Sequence, residues 1–278
     1  MSSLSSITQD IEIQRPELWT LILRIGSRSV KFVMYSDEEE NSLISRELPL
    51  NLDAHDYLKA LENLIYDNPV LLQDFKTVAV SIESRHFEIL PTELNDCDMM
   101  LDVMDFAFPN DEGEKEICTL EEGRTSIAYS VHKGVLAFIQ RTFNMPKIVH
   151  HMVPLVKYSQ LKSEKSSMTK MFVHLCDGDM DMCVMRKGEL IMANTFSCRN
   201  ADETIYYILN AWQTLSLDVH SDELQLSGDK AIRDVLMPQL RKYISYVMPI
   251  IFPASAMKIG QDAIKAPFDL ILLSQCVL

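Results

Sequence analysis

Three short stretches of this chain carry side chains suited to gripping a charged group. The first is Leu23-Arg24-Ile25-Gly26-Ser27-Arg28-Ser29-Val30-Lys31. Gly26, Ser27 and Ser29 make a small polar turn and Lys31 adds an ammonium, so a phosphate or sulfate could be held there; ordinary turn polarity explains the same residues. The second is Val173-His174-Leu175-Cys176-Asp177-Gly178-Asp179-Met180-Asp181, whose alternating aspartates hint at a calcium loop. Such a loop needs glycine at its sixth place and glutamate at its twelfth, where Met182 and Gly188 stand, which argues against it. The third is Leu226-Ser227-Gly228-Asp229, a strand end running into a helix. His150-His151 has no acid or cysteine at ligand spacing and reads as a core or surface pair. No GxSxG and no P-loop is present, so those hydrolase and ATPase classes lack support.

The elements that must position these stretches are legible from periodicity. Leu18–Ile25 is apolar on both faces apart from Thr20 and Arg24, as in a central buried strand. Gly26-Ser27-Arg28 turns, with Gly26 expected to use a positive φ. Val30–Tyr35 and Ser42–Leu48 follow as strands around the acidic tip Asp37-Glu38-Glu39-Glu40, a solvated turn. Asp53 is the expected N-cap of a helix with Tyr57, Leu58, Leu61, Leu64 and Ile65 on one face, ended by Asn68-Pro69. Lys76–Ser84 is the next strand.

The order β-β-β-α-β then recurs. Met171–Leu175, Met182–Arg186 and Glu189–Phe196 read as strands. A helix starts at Asn200 with Glu203 completing a capping box, and its apolar face is Ile205, Ile208, Leu209, Trp212 and Leu215. Asp222–Gly228 is the strand after it. This points to an internal duplication. The expected division is 1–165, holding an inserted subdomain around 85–158, and 166–278, with Ser159–Lys170 as linker. Inside the insertion, "HFEILPTEL" and "SIAYSV" read as strands and Met100–Pro109 as a helix and a break. Pro238 is expected to kink or split the helix that starts near Lys230.

Composition narrows the class. The 278 residues are 47% hydrophobic and 24% charged, a globular balance with enough chain for a large core. A net charge of −14 repels phosphate backbones, which argues against nucleic acid as partner. The six cysteines contain no CxxC pair and no disulfide framework, which fits reduced thiols in the cytoplasm. No apolar run reaches membrane-spanning length, and the N-terminal residues lack the pattern of a signal peptide. Among sixteen methionines, Met180, Met182, Met185 and Met192 crowd one hairpin sheet, as adaptable core filling or as a partner-binding surface.

Two β-β-β-α-β halves, each opening with a polar hairpin, resemble the actin-like ATPase superfamily of sugar kinases, heat-shock ATPases and actin. More narrowly, the chain resembles a bacterial family described only as having an actin-like fold. The resemblance implies an α/β, ribonuclease H-like architecture of mixed sheets flanked by helices, with ATP and Mg²⁺ between facing halves. The first hairpin of that superfamily reads apolar-Asp-apolar-Gly-Ser/Thr-x-x-apolar-Lys, and here Arg24 replaces the aspartate. The second reads Val-Asp-Ile-Gly-Gly-Gly-Thr-Thr-Asp, and here His174 replaces the aspartate while Cys176 and Asp177 replace two glycines. The third is a strand ending in Gly-Gly beside the nucleoside, and here Asp229 follows Gly228.

The replacements run against phosphoryl transfer. Neither arginine nor imidazole can stand in for a hard oxygen ligand of Mg²⁺. A carboxylate about 4 Å from a phosphate, at an effective dielectric near 20, costs on the order of 4 kcal/mol, roughly a thousandfold in affinity. Asp177, Asp179 and Asp229 would all lie near the implied phosphate path. The degenerate cleft therefore comprises Arg24, Gly26, Ser27, Ser29, Lys31, His174, Asp177, Gly178, Asp179, Gly228 and Asp229. Arg24 has two possible roles: a clamp onto Asp177 or Asp179 where Mg-phosphate would have bridged the halves, or a solvated side chain snorkelling from the sheet end. The expected function is a catalytically silent, cytoplasmic scaffold or regulatory module with a protein partner. The alternative is a divergent nucleotide-binding ATPase or small-molecule kinase with non-standard metal ligands.

Overall fold

Runs of apolar residues separated by polar turns become two mixed five-stranded sheets in a computed structural model, which describes residues 8, 10–91, 97–120, 125–176, 178–252, 256 and 260–276. The chain clusters into two units, Met1–His151 with Ala254–Leu278, and Met152–Pro253.

The first unit opens with β1 (Trp19–Ile25), β2 (Ser29–Ser36), β3 (Ile44–Pro49), α1 (Tyr57–Tyr66) and β4 (Thr77–Ile82). Every residue of β1 is buried, as expected of a central strand, and that includes Arg24. Asp56 rather than Asp53 caps α1, because its carboxylate accepts from the Lys59 N–H at 2.8 Å. Ala60, Leu61, Leu64 and Ile65 form the buried face of that helix. The acidic tip at 37–40 is exposed.

β5 (Phe87–Pro91), α2 (Cys97–Ala107), β6 (Glu114–Thr119) and β7 (Thr125–Val131) build a separate three-stranded sheet, order β5-β7-β6. Met100 and Met104 from α2 pack on Ala128 of β7. These elements lie within the stretch 85–158 in which the sequence suggests an inserted subdomain. α3 (Val135–Thr142) leads to β8 (Lys147–His150), which pairs parallel with β4 and closes the first sheet as β3-β2-β1-β4-β8.

The second unit runs α4 (Met152–Ser163), β9 (Thr169–Cys176), β10 (Asp179–Arg186), β11 (Glu189–Ser197), α5 (Ala201–Thr214), β12 (Glu223–Gly228), α6 (Lys230–Leu240) and β13 (Tyr246–Pro249). Its sheet order, β11-β10-β9-β12-β13, repeats the first sheet's topology, with two antiparallel pairings followed by two parallel ones. The expected linker is instead the end of α4, a short turn and the start of β9. α4 is a buried helix, with Val153, Leu155, Val156 and Tyr158 all inside.

Asn200 caps α5 through the Glu203 N–H at 2.9 Å, and Glu203 reaches back to the Arg199 N–H at 2.8 Å. Ile208 and Trp212 are buried with Met171, Met180, Met182 and Leu226 in one cluster, so the methionines of this sheet fill core. Pro238 does not split α6. It sits two residues before the helix end at Leu240. The chain then returns to the first unit, where α7 (Phe268–Cys276) packs on β1 and β2. Among the described residues no helix is long and apolar enough to cross a membrane.

Candidate functional site

Arg24 sits one residue before the end of β1 and is only 3% exposed. A guanidinium in that position must be paired, because an isolated buried charge costs far more than a strand can offset. Among the described residues Glu83 and Asp269 meet it. Nη1 lies 2.6 Å from Asp269 Oδ2 on α7, and Nη2 lies 3.3 Å from Glu83 Oε2 just after β4. Asp269 is buried as well, and the Glu83 side chain is 9% exposed. The solvated, snorkelling role is therefore ruled out. The clamp was expected on Asp177 or Asp179; the carboxylates seen here come from Arg24's own unit. Asp177 lies outside the described residues.

Glu83 also reaches the turn. A Cβ placed on Gly26 would lie 3.0 Å from Glu83 Oε2 and 3.1 Å from the Ser29 carbonyl. Gly26 is thus needed for this close approach, not for a positive φ, which it does not have. Its N–H donates to Ser29 O at 3.0 Å, and its carbonyl accepts from the Tyr57 hydroxyl at 2.9 Å. Burial, then the nearby Glu83 carboxylate, pushes the Tyr57 phenol well above its ordinary value. The Ser29 hydroxyl donates to Glu47 Oε1 at 2.7 Å. Ser27 is exposed, and Lys31 is half-buried opposite Glu47 on β3. The turn read as a phosphate grip is bordered by two carboxylates, Glu83 and Glu47.

The second unit carries its described candidates on β9, β10 and β12 and at their ends. His174 on β9 is buried and shares a 3.0 Å hydrogen bond between Nδ1 and the Ser227 hydroxyl of β12. Asp179 and Asp181 are buried on β10, where Asp181 accepts from the Thr195 hydroxyl at 2.8 Å. Gly178 takes φ +82° at the hairpin turn. Gly228 takes φ +89°, and a Cβ there would overlap the backbone of Leu175, so only glycine fits. Asp229 turns its carboxylate onto its own helix: Oδ1 accepts from the N–H groups of Ala231 at 2.7 Å and Ile232 at 3.2 Å. Two of the amides that a helix N-terminus would offer an anion are taken by this cap.

Elsewhere, His150 and His151 are buried, ring centroids 4.3 Å apart, against Phe87 and Tyr129, which makes them core residues. Burial pushes the Cys183 thiol up to about 12, partly countered by a hydrogen bond to Ser159, so it is no nucleophile. Among the described residues no group of three or more His, Cys, Asp or Glu side chains could hold a metal ion. Sequence reasoning missed Glu83 and Asp269. Their signal was a single acid at the end of an apolar strand and a single acid within "FDLILLSQC", matching a single cation within "LWTLILRI".

Comparison with solved structures defines the class. A Bacteroides thetaiotaomicron protein described as having an actin-like ATPase fold and unknown function superimposes with a TM-score of 0.77 at 21% identity, covering 94% of this chain and 98% of its own. A structure described as the PilM-PilN type IV pilus biogenesis complex matches with a TM-score of 0.57 at 11% identity, over 93% of this chain and 98% of that one. The chain therefore has the actin-like ATPase fold, with mixed sheets flanked by helices. Residues 8–247 match the model of the family described as "Protein of unknown function (DUF3822)", and the chain belongs to that family. No curated protein matches it.

Proposed function

We propose that this chain is a catalytically inactive actin-like protein of the cytoplasm, serving as a scaffold or regulatory module for a protein partner. The observation that carries the reading is the buried Arg24–Glu83–Asp269 set. It puts a paired cation where the superfamily has an aspartate, and a carboxylate over the turn that would approach phosphate. Mg-nucleotide does not fit these residues. A phosphate at Gly26 would have to displace or face Glu83, at a cost on the order of 4 kcal/mol per unit charge. In the second unit, Asp229 fills the helix N-terminus that would otherwise favour an anion. The PilM-PilN neighbour is a protein–protein assembly by its description, which gives a partner-binding role a precedent on this fold.

A thermal-melting scan with Mg-ATP, Mg-GTP and ADP tests the reading. A ligand at a hundred times its Kd stabilises by about 2.7 kcal/mol, which moves a chain of this size by roughly 5–10 °C. We expect no shift with any nucleotide. A magnesium-dependent rise of that size with one of them would overturn the proposal in favour of a nucleotide-binding enzyme.

A further inference from the structure

We infer that the outward face of α2 of one copy of this chain docks head to tail on the β13 edge of a second copy. The inference does not rest on the reading of the nucleotide motifs. Charge is segregated along the sequence. Positions 86–114 contain no Lys or Arg, and positions 235–260 contain no Asp or Glu, in a chain of net charge −14. Each stretch also exposes large apolar side chains. Grouped apolar surface rimmed by charge marks a contact site.

On α2 the helical period sorts the residues. Met100 and Met104 turn inward onto Ala128, so Met99, Asp102 and Phe106, three and four residues apart, line the opposite side. Phe106 is 89% exposed, and Asp102 and Asp105 beside it are exposed too. On β13, Tyr246 and Met248 are exposed and alternate with buried Val247, so they stand side by side on one face of the strand. Arg241 lies along the outer edge, where Nε and Nη2 donate to the Val247 carbonyl at 3.2 and 2.9 Å. With that carbonyl taken and Pro249 lacking an N–H, the edge resists pairing with another strand and presents side chains instead. Lys242 and Tyr243, in the turn before β13, are exposed. Glu223, opposite Tyr246 in register, is buried and held by Lys170 at 3.0 Å. Among the described residues Asp102, Asp105 and Lys242 form no ion pair.

The two surfaces match in chemistry. Phe106 stands out from its helix, and Tyr246 and Met248 offer a ring and a thioether, both favourable against another ring. Asp102 and Asp105 carry the sign opposite to Arg241 and Lys242, which favours the approach of one surface to the other. Pairing α2 with α2, or β13 with β13, would set like charge against like. The contact therefore joins two different surfaces, and its repetition adds copies in a row. One helix face on one strand edge is a small interface, of the weak class under about 1,200 Å².

Sedimentation equilibrium of the full chain, from about 10 µM to about 1 mM, reads the outcome, a range chosen for a weak contact. The mean mass should rise with concentration above the 31.8 kDa of one chain. Phe106→Asp should weaken association more than tenfold, and so should Lys242→Asp combined with Tyr246→Asp. Mixed in equal amounts, these two variants should form a species of twice the single-chain mass and nothing larger, because each keeps the surface that the other lacks. That recovery also shows that both variants are folded. Asp102→Lys with Asp105→Lys, a change confined to exposed charges, should weaken association by about tenfold. A monomer at every concentration would overturn the inference. So would association indifferent to these variants, or a mixture that stays monomeric while each variant melts like the parent chain.

Discussion

Replacing Arg24 with methionine separates a structural role for this residue from every other reading. Methionine keeps most of the aliphatic stem and removes the charge. Glu83 and Asp269 would keep their places, with side chains only 9% and 7% exposed, but lose the cation they share. Removing one partner of a buried ion pair costs about 3–5 kcal/mol, and here two carboxylates lose their counter-ion together, so the upper end applies. Urea denaturation followed by tryptophan fluorescence suits the question. The chain has two tryptophans, Trp19 on β1 and Trp212 on α5, and a Trp212→Phe background leaves Trp19 to report on the strand that carries Arg24. The single variant should lose about 5 kcal/mol. The triple variant Arg24→Met, Glu83→Gln, Asp269→Asn should recover most of it, because neutral groups in place of a whole buried ion set are close to neutral in cost. A loss under about 1 kcal/mol for the single variant would refute the pairing argument. So would a triple variant no more stable than the single one.

Further outcomes follow from the same geometry. Gly228→Ala should fail to fold or lose more than about 4 kcal/mol, since the methyl group would overlap the Leu175 backbone at φ +89°; soluble yield and a thermal melt check this. Asp229→Ala should cost about 1 kcal/mol in urea denaturation through loss of the α6 cap. Asp111 gives a pH signature. Burial alone would raise its carboxyl, but hydrogen bonds from Ser130, the Gly113 N–H, Lys115 and His86 hold it well below the usual carboxylate range. Its contribution is thus complete above the unfolded value near 3.9 and lost as pH falls through the lower folded value. Asp111→Asn should therefore show its full deficit at pH 7 and a shrinking one below about pH 4 in matched denaturation curves, whereas a deficit constant with pH would contradict the assignment.

Much of the frame was legible because period and punctuation agree. Trp19–Ile25 is uniformly apolar around two polar residues, and Asn200 with Glu203 marks a helix start that the hydrogen bonds reproduce. The repeated β-β-β-α-β order was readable for the same reason, and the two sheets share strand order and pairing sense. Asp53 and Asp56 carry the same chemical signal for a cap, and only the geometry of the Lys59 N–H distinguishes them. Ser159–Lys170 looked like a linker because serines and lysines weigh against burial, yet the preceding turns of α4 bury an apolar face that carries the helix on to Ser163. The site was read in part. The three motifs were singled out from local residue types. The partners of Arg24 lie 59 and 245 residues away, and only the fold of the first unit, with α7 laid on β1, brings them together.

The central proposal is that the turn between β1 and β2 carries a set of protein charges, Arg24 with Glu83 and Asp269, where the resemblance implies a phosphate and metal site. Isothermal titration of the full chain with ATP in excess magnesium tests this most directly. The account predicts no saturable heat up to millimolar nucleotide. A saturable isotherm that vanishes when magnesium is chelated would contradict it.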